Sequence, residues 1–132
     1  MLKINIGELK SLLPDIVEKS IYNPVVITHG NDEAEQCIEE VIKYVEKQGI
    51  SYCCVNLCKE IRPEILDKKI CIFCHLEKVA GCELPENNFF DIYNFVKTNN
   101  NQIIITIKKG NINKMQERNK ARLRSGIIIE IK

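Results

Sequence analysis

Short apolar runs alternate with helical patterns along the chain, and this alternation limits the fold more than any other feature. Five runs are almost continuously apolar, and they cover residues 25–29, 52–57, 70–74, 103–107 and 126–131. Strands that lack polar alternation are typical of a parallel sheet that is covered by helices on both faces. The order of the runs therefore predicts a three-layer α/β/α domain with a five-stranded parallel sheet.

The segments between these runs predict the helices. Apolar residues recur at helical spacing in 8–19, where Pro14 predicts a kink or a restart. A second helix is expected between a cap at Asn31 or Asp32 and an end at Gly49. Three further helices are expected over about 60–67, 85–98 and 112–123, the last of them basic.

Composition limits the classes of protein to which this chain can belong. Its 132 residues are 45% hydrophobic and 28% charged, which suits one globular domain over 1–132. The net charge of +1 gives no reason for a nucleic-acid or membrane partner. With no signal-like start, the seven cysteines are expected to be reduced thiols of a cytoplasmic protein. No lid domain is expected after the last strand.

The turn after the first apolar run lacks the residues that bind phosphate. A strand that leads through a glycine turn into a helix is the usual place for a phosphate-binding loop, which needs several glycines, a Lys and a Ser or Thr. Here the turn after Thr28 has one glycine, Gly30, followed by Asp32, Glu33 and Glu35. Three carboxylates would repel a triphosphate, so the sequence favours a binding function over hydrolysis.

Several segments, in the right order, resemble the core of the bacterial replication initiator DnaA and its regulatory relative Hda. The similar segments are 22–27 at the strand that enters the P-loop, 76–81 after the Walker B strand, 88–94 in the next helix, 101–106 at the sensor 1 strand and 121–125 before the arginine finger. The resemblance implies a P-loop NTPase fold of the AAA+ core type.

The same resemblance implies that the catalytic positions have been lost. The Walker A element is replaced at Gly30, and the two Walker B acids align with Cys74 and His75. The residue after Thr106 is not acidic, and Gly126 follows Ser125 where an arginine finger would stand. Since phosphoryl transfer depends on positioning and electrostatics, no ATPase activity, catalytic residue, cofactor or metal is expected.

The cysteine pattern allows other interpretations. The run Cys71-Ile72-Phe73-Cys74-His75 matches a haem-attachment pattern and could also suggest half of a zinc site. Because side chains alternate along a strand, Cys71 and His75 are expected on one face and Cys74 on the other, which argues against both interpretations. Cys53 and Cys54 are expected to be small apolar core residues.

The last third of the chain contains a basic segment. Its candidate contacts to a partner or to DNA are Lys108, Lys109, Lys114, Arg118, Arg122 and Arg124. Clustered positive charge is typical of phosphate binding, although the segment lacks aromatic residues for stacking on bases. A solvated helix face is the simpler interpretation, given the nearly neutral chain.

Three hypotheses for the function follow. The first is a non-catalytic DnaA/Hda-like protein that acts in replication initiation through contacts with a full-length initiator or the replication machinery. The second is an enzyme or a nucleotide sensor with a non-standard pocket around His29, Asp32 and His75. The third is an accessory protein that binds DNA weakly and without sequence preference through the basic segment 108–124. None of them involves a membrane.

Overall fold

The sheet is parallel throughout and has one strand more than the sequence predicts. The structure, a computed structural model, describes residues 1–30, 33–57 and 68–132. Within these ranges the strands are β1 (Leu2–Ile4), β2 (Val25–His29), β3 (Tyr52–Val55), β4 (Ile70–Phe73), β5 (Gln102–Lys108) and β6 (Ile127–Ile131). They form one sheet in the order β1-β6-β2-β5-β4-β3. The predicted parallel sheet is confirmed, but the predicted number of five strands is wrong.

The additional strand, β1, escapes prediction because it is very short. It pairs in parallel with β6, so that Leu2 aligns with Ile129 and Ile4 with Ile131. Of its three residues only Ile4 is buried, which leaves no apolar run to recognise. β1 forms because β6, which is distant in the sequence, offers it a strand to pair with, and not because its own sequence favours a strand.

The α-helices in the described parts of the chain are α1 (Ile6–Leu13), α2 (Ala34–Lys47), α3 (Glu83–Thr98) and α4 (Glu117–Leu123). Helix α1 begins earlier than predicted because Asn5 and Glu8 form a capping box, in which the Glu8 N–H donates to Asn5 Oδ1 at 2.8 Å. It ends at Leu13, and a π-helical turn over Pro14–Glu18 follows, which agrees with the predicted kink or restart.

The predicted helix over 112–123 is only partly α-helical. A single 3₁₀ turn covers Ile112–Lys114, and α4 starts at Glu117. Met115 between them is extended, with ψ at 156°, and its side chain is buried. The helix after β2 ends as predicted, with Gly49 at a φ of 68°. The predicted helix over 60–67 and the predicted cap at Asn31 or Asp32 lie outside the described residues.

Two apolar cores confirm the three layers. Helices α1 and α2 cover one face of the sheet, and their buried residues include Leu9 and Val41. Helices α3 and α4 cover the other face through residues such as Phe89 and Leu123. None of the helices in the described residues is long and apolar enough to cross a membrane.

The strand order determines where a ligand crevice would form. From β2 the chain moves to β3 at one edge, returns through β4 and β5, and then continues to β6 on the other side of β2. The order therefore reverses at β2, which lies between β5 and β6. Open α/β sheets bind their ligands beyond the carboxyl ends of the strands at this reversal. The residues after β2, β4 and β5 therefore lie where a fold of this kind binds its ligand.

Candidate functional site

The turn after β2 is occupied by a carboxylate of the chain itself. His29, the last residue of β2, is 3% exposed, and its Nδ1 lies 2.6 Å from the Gly30 carbonyl oxygen. Glu33 Oε2 lies 2.8 Å from the position that a Cβ atom at Gly30 would take. The Glu33 side chain therefore folds back over Gly30, and a bulkier residue at Gly30 would displace it.

The turn after β4 corrects one prediction from the sequence. The strand ends at Phe73, and His75 adopts a left-handed conformation with φ at 56°. The backbone N–H of His75 donates to Thr106 Oγ1 of β5 at 2.9 Å, which holds the turn against the sheet. The expectation that His75 continues the face of Cys71 is therefore wrong, because strand alternation stops before His75.

Two histidines and two carboxylates meet between these turns. The His75 Nε2 atom lies 2.7 Å from Glu35 Oε1, and its Nδ1 lies 3.5 Å from Glu77 Oε2. Glu77 Oε1 is 3.9 Å from His29 Nε2 and accepts a hydrogen bond from the Lys108 N–H at 3.0 Å. We call His29, Glu35, His75 and Glu77 the His–Glu cluster.

The His–Glu cluster places both ring nitrogens of His75 beside a carboxylate. With Glu33 close by, the corner has three carboxylates against two histidines, which disfavours an anionic ligand.

The structure brings His29 and His75 of the nucleotide-sensor hypothesis into contact with the same side chain, Glu77. Asp32, the third residue of that hypothesis, lies outside the described residues. Sequence reasoning missed Glu77, although an acidic residue shortly after a buried strand is a usable signal. Among the described residues, no group of three or more His, Cys, Asp or Glu side chains is placed to hold a metal ion.

The cysteines of β3 and β4 lie opposite one another. Cys71 belongs to the core beneath α3, whereas Cys74 packs against the core beneath α2, so their predicted separation onto two faces is confirmed. The Sγ atoms of Cys53 and Cys71 are 3.4 Å apart. The prediction that Cys54 is a core residue is wrong, because Cys54 is exposed. The sequence alone does not show which cysteines become neighbours across strands.

The basic segment divides into two surfaces. At the first, the Arg118 and Arg122 Cζ atoms lie 4.0 and 4.1 Å from the centre of the Phe90 ring. The Arg122 Nε donates to Asn94 Oδ1 at 3.1 Å, and an Arg118 Nη2 donates to Asn87 Oδ1. We call Phe90, Arg118 and Arg122 the arginine platform. The sequence offered no aromatic partner within the segment, and α3 supplies one.

The second basic surface lies near the carboxyl ends of β5 and β6. Lys109 and Arg124 line a cavity of about 190 Å³ together with Thr28 and Glu130. Lys108 and Lys114, also predicted as contacts, are exposed on either side of Gly110. The six predicted contact residues thus do not form one continuous face, and their contact with a partner or with DNA stays a prediction.

A buried carboxylate connects the two helices that form the arginine platform. Glu86 of α3 is 0% exposed, and its Oε2 accepts from the Gly81 N–H at 2.7 Å. Its Oε1 accepts from the Gln116 N–H at 2.8 Å and from Asn119 Nδ2 at 3.0 Å. The side chain of Gln116, the N-cap residue of α4, makes no capping hydrogen bond. The Glu86 carboxylate instead accepts from the backbone N–H at the start of that helix.

The strand order and the helices on both faces define the class of fold: a parallel α/β domain of the P-loop NTPase type. The fold is that of the AAA+ domains of the replication initiator DnaA. A DnaA bound to AMPPCP and single-stranded DNA superposes with a TM-score of 0.77 at 18% identity, over 96% of this chain and 44% of that chain. AMPPCP-bound DnaA from Aquifex aeolicus gives a TM-score of 0.73 at 19% identity, over 96% and 45%.

Domain III of DnaA from Thermotoga maritima gives a TM-score of 0.73 at 13% identity, over 96% of this chain and 62% of that domain. The chain thus spans less than two thirds of each of these structures. No family model and no curated protein matches the sequence. The predicted likeness to the DnaA core and the predicted AAA+ type of fold are confirmed at the level of the fold.

Proposed function

We propose that this chain is a non-catalytic DnaA/Hda-like protein that acts in the initiation of chromosomal replication through contacts with other proteins. The fold supports a role related to that of DnaA, since replication initiators are its structural neighbours. The observation that carries the proposal is the Glu33 carboxylate folded over Gly30, at the turn where this fold would receive a nucleotide phosphate. The role implies a cytoplasmic protein.

The charges around that turn support the absence of ATPase activity. Glu33, Glu35 and Glu77 lie where a phosphate-binding loop would present backbone N–H groups and a lysine. The positions aligned with the Walker B acids, Cys74 and His75, offer a thiol and an imidazole, which are poor partners for hard Mg²⁺. Without these groups little acceleration of phosphoryl transfer remains.

Nucleotide binding can be tested by thermal unfolding. A ligand present at about 100 times its Kd stabilises the folded state by about 2.7 kcal/mol, which for a domain of this size raises Tm by about 10 °C. We expect no rise in Tm with ATP, ADP or AMPPCP, with or without Mg²⁺. Aquifex aeolicus DnaA with AMPPCP is the positive control. A rise of several degrees in this chain would contradict a phosphate turn that is closed by Glu33 and would favour a nucleotide sensor.

The arginine platform is the surface that we assign to the protein partner. Its two guanidinium groups are held by Phe90 and by neutral acceptors, the side-chain oxygens of Asn87 and Asn94. Within the described residues neither Arg118 nor Arg122 forms an ion pair, so both charges are available to an acidic surface. Stacking on the ring keeps the guanidinium groups in place and lowers the entropic cost of binding.

A pull-down with the host's full-length initiator tests this assignment. We expect the wild-type chain to retain the initiator and the double variant Arg118→Glu/Arg122→Glu to lose it. The matched control is Lys43→Glu/Lys47→Glu on α2, which makes the same change in charge on the opposite layer of the fold. Equal retention of the initiator by all three proteins would refute the arginine platform as the contact surface. If the wild-type chain retains no initiator, the initiator is not the partner.

DNA binding through the same residues is the second candidate function, because the arginine platform also suits phosphate oxygens. A mobility-shift titration with single-stranded and duplex DNA at several salt concentrations distinguishes the two. Affinity for DNA that falls steeply with salt, and that is lost in Arg118→Glu/Arg122→Glu, would favour this candidate. We expect only weak binding, in keeping with the net charge of +1.

A further inference from the structure

The edge strand β3, its neighbour β4 and the residue after β4 carry four cysteines in two pairs. In the parallel register Cys53 aligns with Cys71 and Cys54 aligns with Ile72. Because side chains alternate, Cys53 and Cys71 face α3, whereas Cys54 faces the other layer. Cys74 follows two residues after Ile72 and packs on that same layer. Each side of this strand pair therefore presents its own two thiols.

The pair formed by Cys54 and Cys74 is the accessible one. Cys54 is exposed and Cys74 is half-buried. Both residues line the same surface cavity, which has a volume of about 110 Å³ and continues along His75 and Asn56. In the other pair Cys71 is fully buried, so a solute reaches Cys54 first although the Cys53 and Cys71 sulfurs are only 3.4 Å apart.

The contact between the two thiols makes them unequal. The hydrogen bond from the Cys74 thiol lowers the pKa of Cys54 to about 7. The same hydrogen bond, together with burial, raises the pKa of Cys74 well above its usual range. At neutral pH Cys54 is therefore the nucleophile, and Cys74 keeps its proton beside it.

We propose that Cys54 and Cys74 form a modification site for low-molecular-weight disulfides, independently of the proposed function. In the first step the Cys54 thiolate attacks one sulfur of the disulfide RSSR, forms Cys54–S–SR and releases RS⁻. In the second step the RS⁻ released first takes the proton of Cys74, and the Cys74 sulfur attacks the Cys54 sulfur, which forms the Cys54–Cys74 disulfide and releases the second RS⁻. Two protein thiols are oxidised, and one disulfide is reduced to two thiols.

The modification would act directly on the His–Glu cluster. Cys74 immediately precedes His75, whose backbone N–H donates to Thr106 Oγ1 and whose ring contacts Glu35 of α2. A bond from Cys74 to β3 would draw the start of this turn toward the sheet edge. Oxidation would therefore change the contact between the His75 ring and Glu35 of α2.

The reactivity of Cys54 can be given a magnitude. At pH 7 a thiol with a pKa of about 7 is half ionised, whereas an ordinary thiol with a pKa of 9.0 is about 1% ionised. The thiolate fraction is about 50-fold higher, and the lower basicity reduces the nucleophilicity of each thiolate about 10-fold. Cys54 should thus react about fivefold faster than an ordinary exposed thiol. Exposed Cys82, at the start of α3, is the internal reference.

The test uses the full chain and glutathione disulfide as the probe. Aliquots are quenched over time with iodoacetamide, and the modified and linked peptides are mapped by mass spectrometry. We expect the wild type to form the Cys54–Cys74 link, and the Cys74→Ser variant to accumulate glutathione on Cys54 instead. Cys54→Ser should form neither product, and Cys82→Ser should behave as wild type.

Three results would overturn the proposal. The first is glutathione that persists on Cys54 of the wild type without a link to Cys74. The second is a link that joins other cysteines first, either Cys53 to Cys71 or Cys54 to Cys58. The third is modification of Cys82 as fast as that of Cys54. Because Cys54 is exposed, Cys54→Ser should fold, and its circular dichroism spectrum should match that of the wild type.

Discussion

Replacement of Glu86 by alanine should be among the most damaging single changes to a polar residue. The Glu86 carboxylate is fully buried and accepts hydrogen bonds from Gly81 N–H, Gln116 N–H and Asn119 Nδ2. In Glu86→Ala water can reach the two backbone donors, since neither Gly81 nor Gln116 is buried. The Asn119 amide, which is 0% exposed, would gain no water in its place and would keep only its hydrogen bond to the Glu86 backbone carbonyl oxygen at 3.1 Å.

The cost can be estimated from these three contacts. The lost hydrogen bond from the buried Asn119 amide to the carboxylate costs about 2 kcal/mol, and each of the two rehydrated hydrogen bonds costs about 1 kcal/mol. The total of about 4 kcal/mol is a large part of the 5 to 15 kcal/mol that stabilises a typical domain. Glu86→Gln should cost about half as much, because its amide oxygen still accepts while its amide nitrogen faces a donor.

Urea unfolding followed by circular dichroism measures this loss. With a slope of about 1.5 kcal/mol per M, a loss of 4 kcal/mol moves the midpoint down by about 2 to 3 M. The matched control is Glu83→Ala, an exposed glutamate in the first turn of the same helix, for which we expect a change within about 0.5 kcal/mol. A Glu86→Ala midpoint equal to that of Glu83→Ala would refute the role of Glu86 as the anchor of α4.

Three further predictions concern other parts of the fold. In Gly126→Ala the new Cβ would lie 2.0 Å from the Pro24 carbonyl oxygen, so we expect a loss of about 3 kcal/mol or more, seen as a lower Tm or as insoluble protein. Phe89→Ala removes a fully buried ring and should cost about 3 to 5 kcal/mol in urea unfolding. In Cys74→Ala the thiol donor is lost, which should raise the pKa of Cys54, so the pH midpoint of its alkylation by iodoacetamide should move up from about 7; an unchanged midpoint would refute the role of the Cys74 thiol.

The layers of the fold could be predicted from the sequence because each signal is local. The run Ile103–Ile107 is apolar at every position except Thr106, and this pattern is sufficient to identify a buried parallel strand. Strand β1 could not be predicted, because a three-residue strand with one buried side chain depends on the edge of β6 to pair with. A long, fully buried strand such as β5 is therefore predictable from the sequence, whereas a short strand with one buried residue such as β1 is not.

The candidate sites were less predictable because they join residues that are distant in the sequence. His29 and His75 could be selected from their positions at strand ends, but Glu77 bridges them only because the turn after β4 is left-handed at His75. In the same way, Phe90 meets Arg118 and Arg122 through the packing of α3 against α4. Neither contact leaves a periodic signal in the sequence.

The corner after β2 shows how one geometry can serve two opposite purposes. The amino end of a helix carries a partial positive charge that stabilises an anion, and phosphate-binding folds use it for their ligand. Here Glu33 stands at the N-cap position of α2 and Glu35 in its first turn, so the chain supplies the anions itself. Glu35 then contacts His75, which extends this internal neutralisation to the turn after β4. A phosphate would have to displace these carboxylates before it could gain the same stabilisation, and this competition is the physical basis for proposing a protein that binds partners and does not hydrolyse nucleotides.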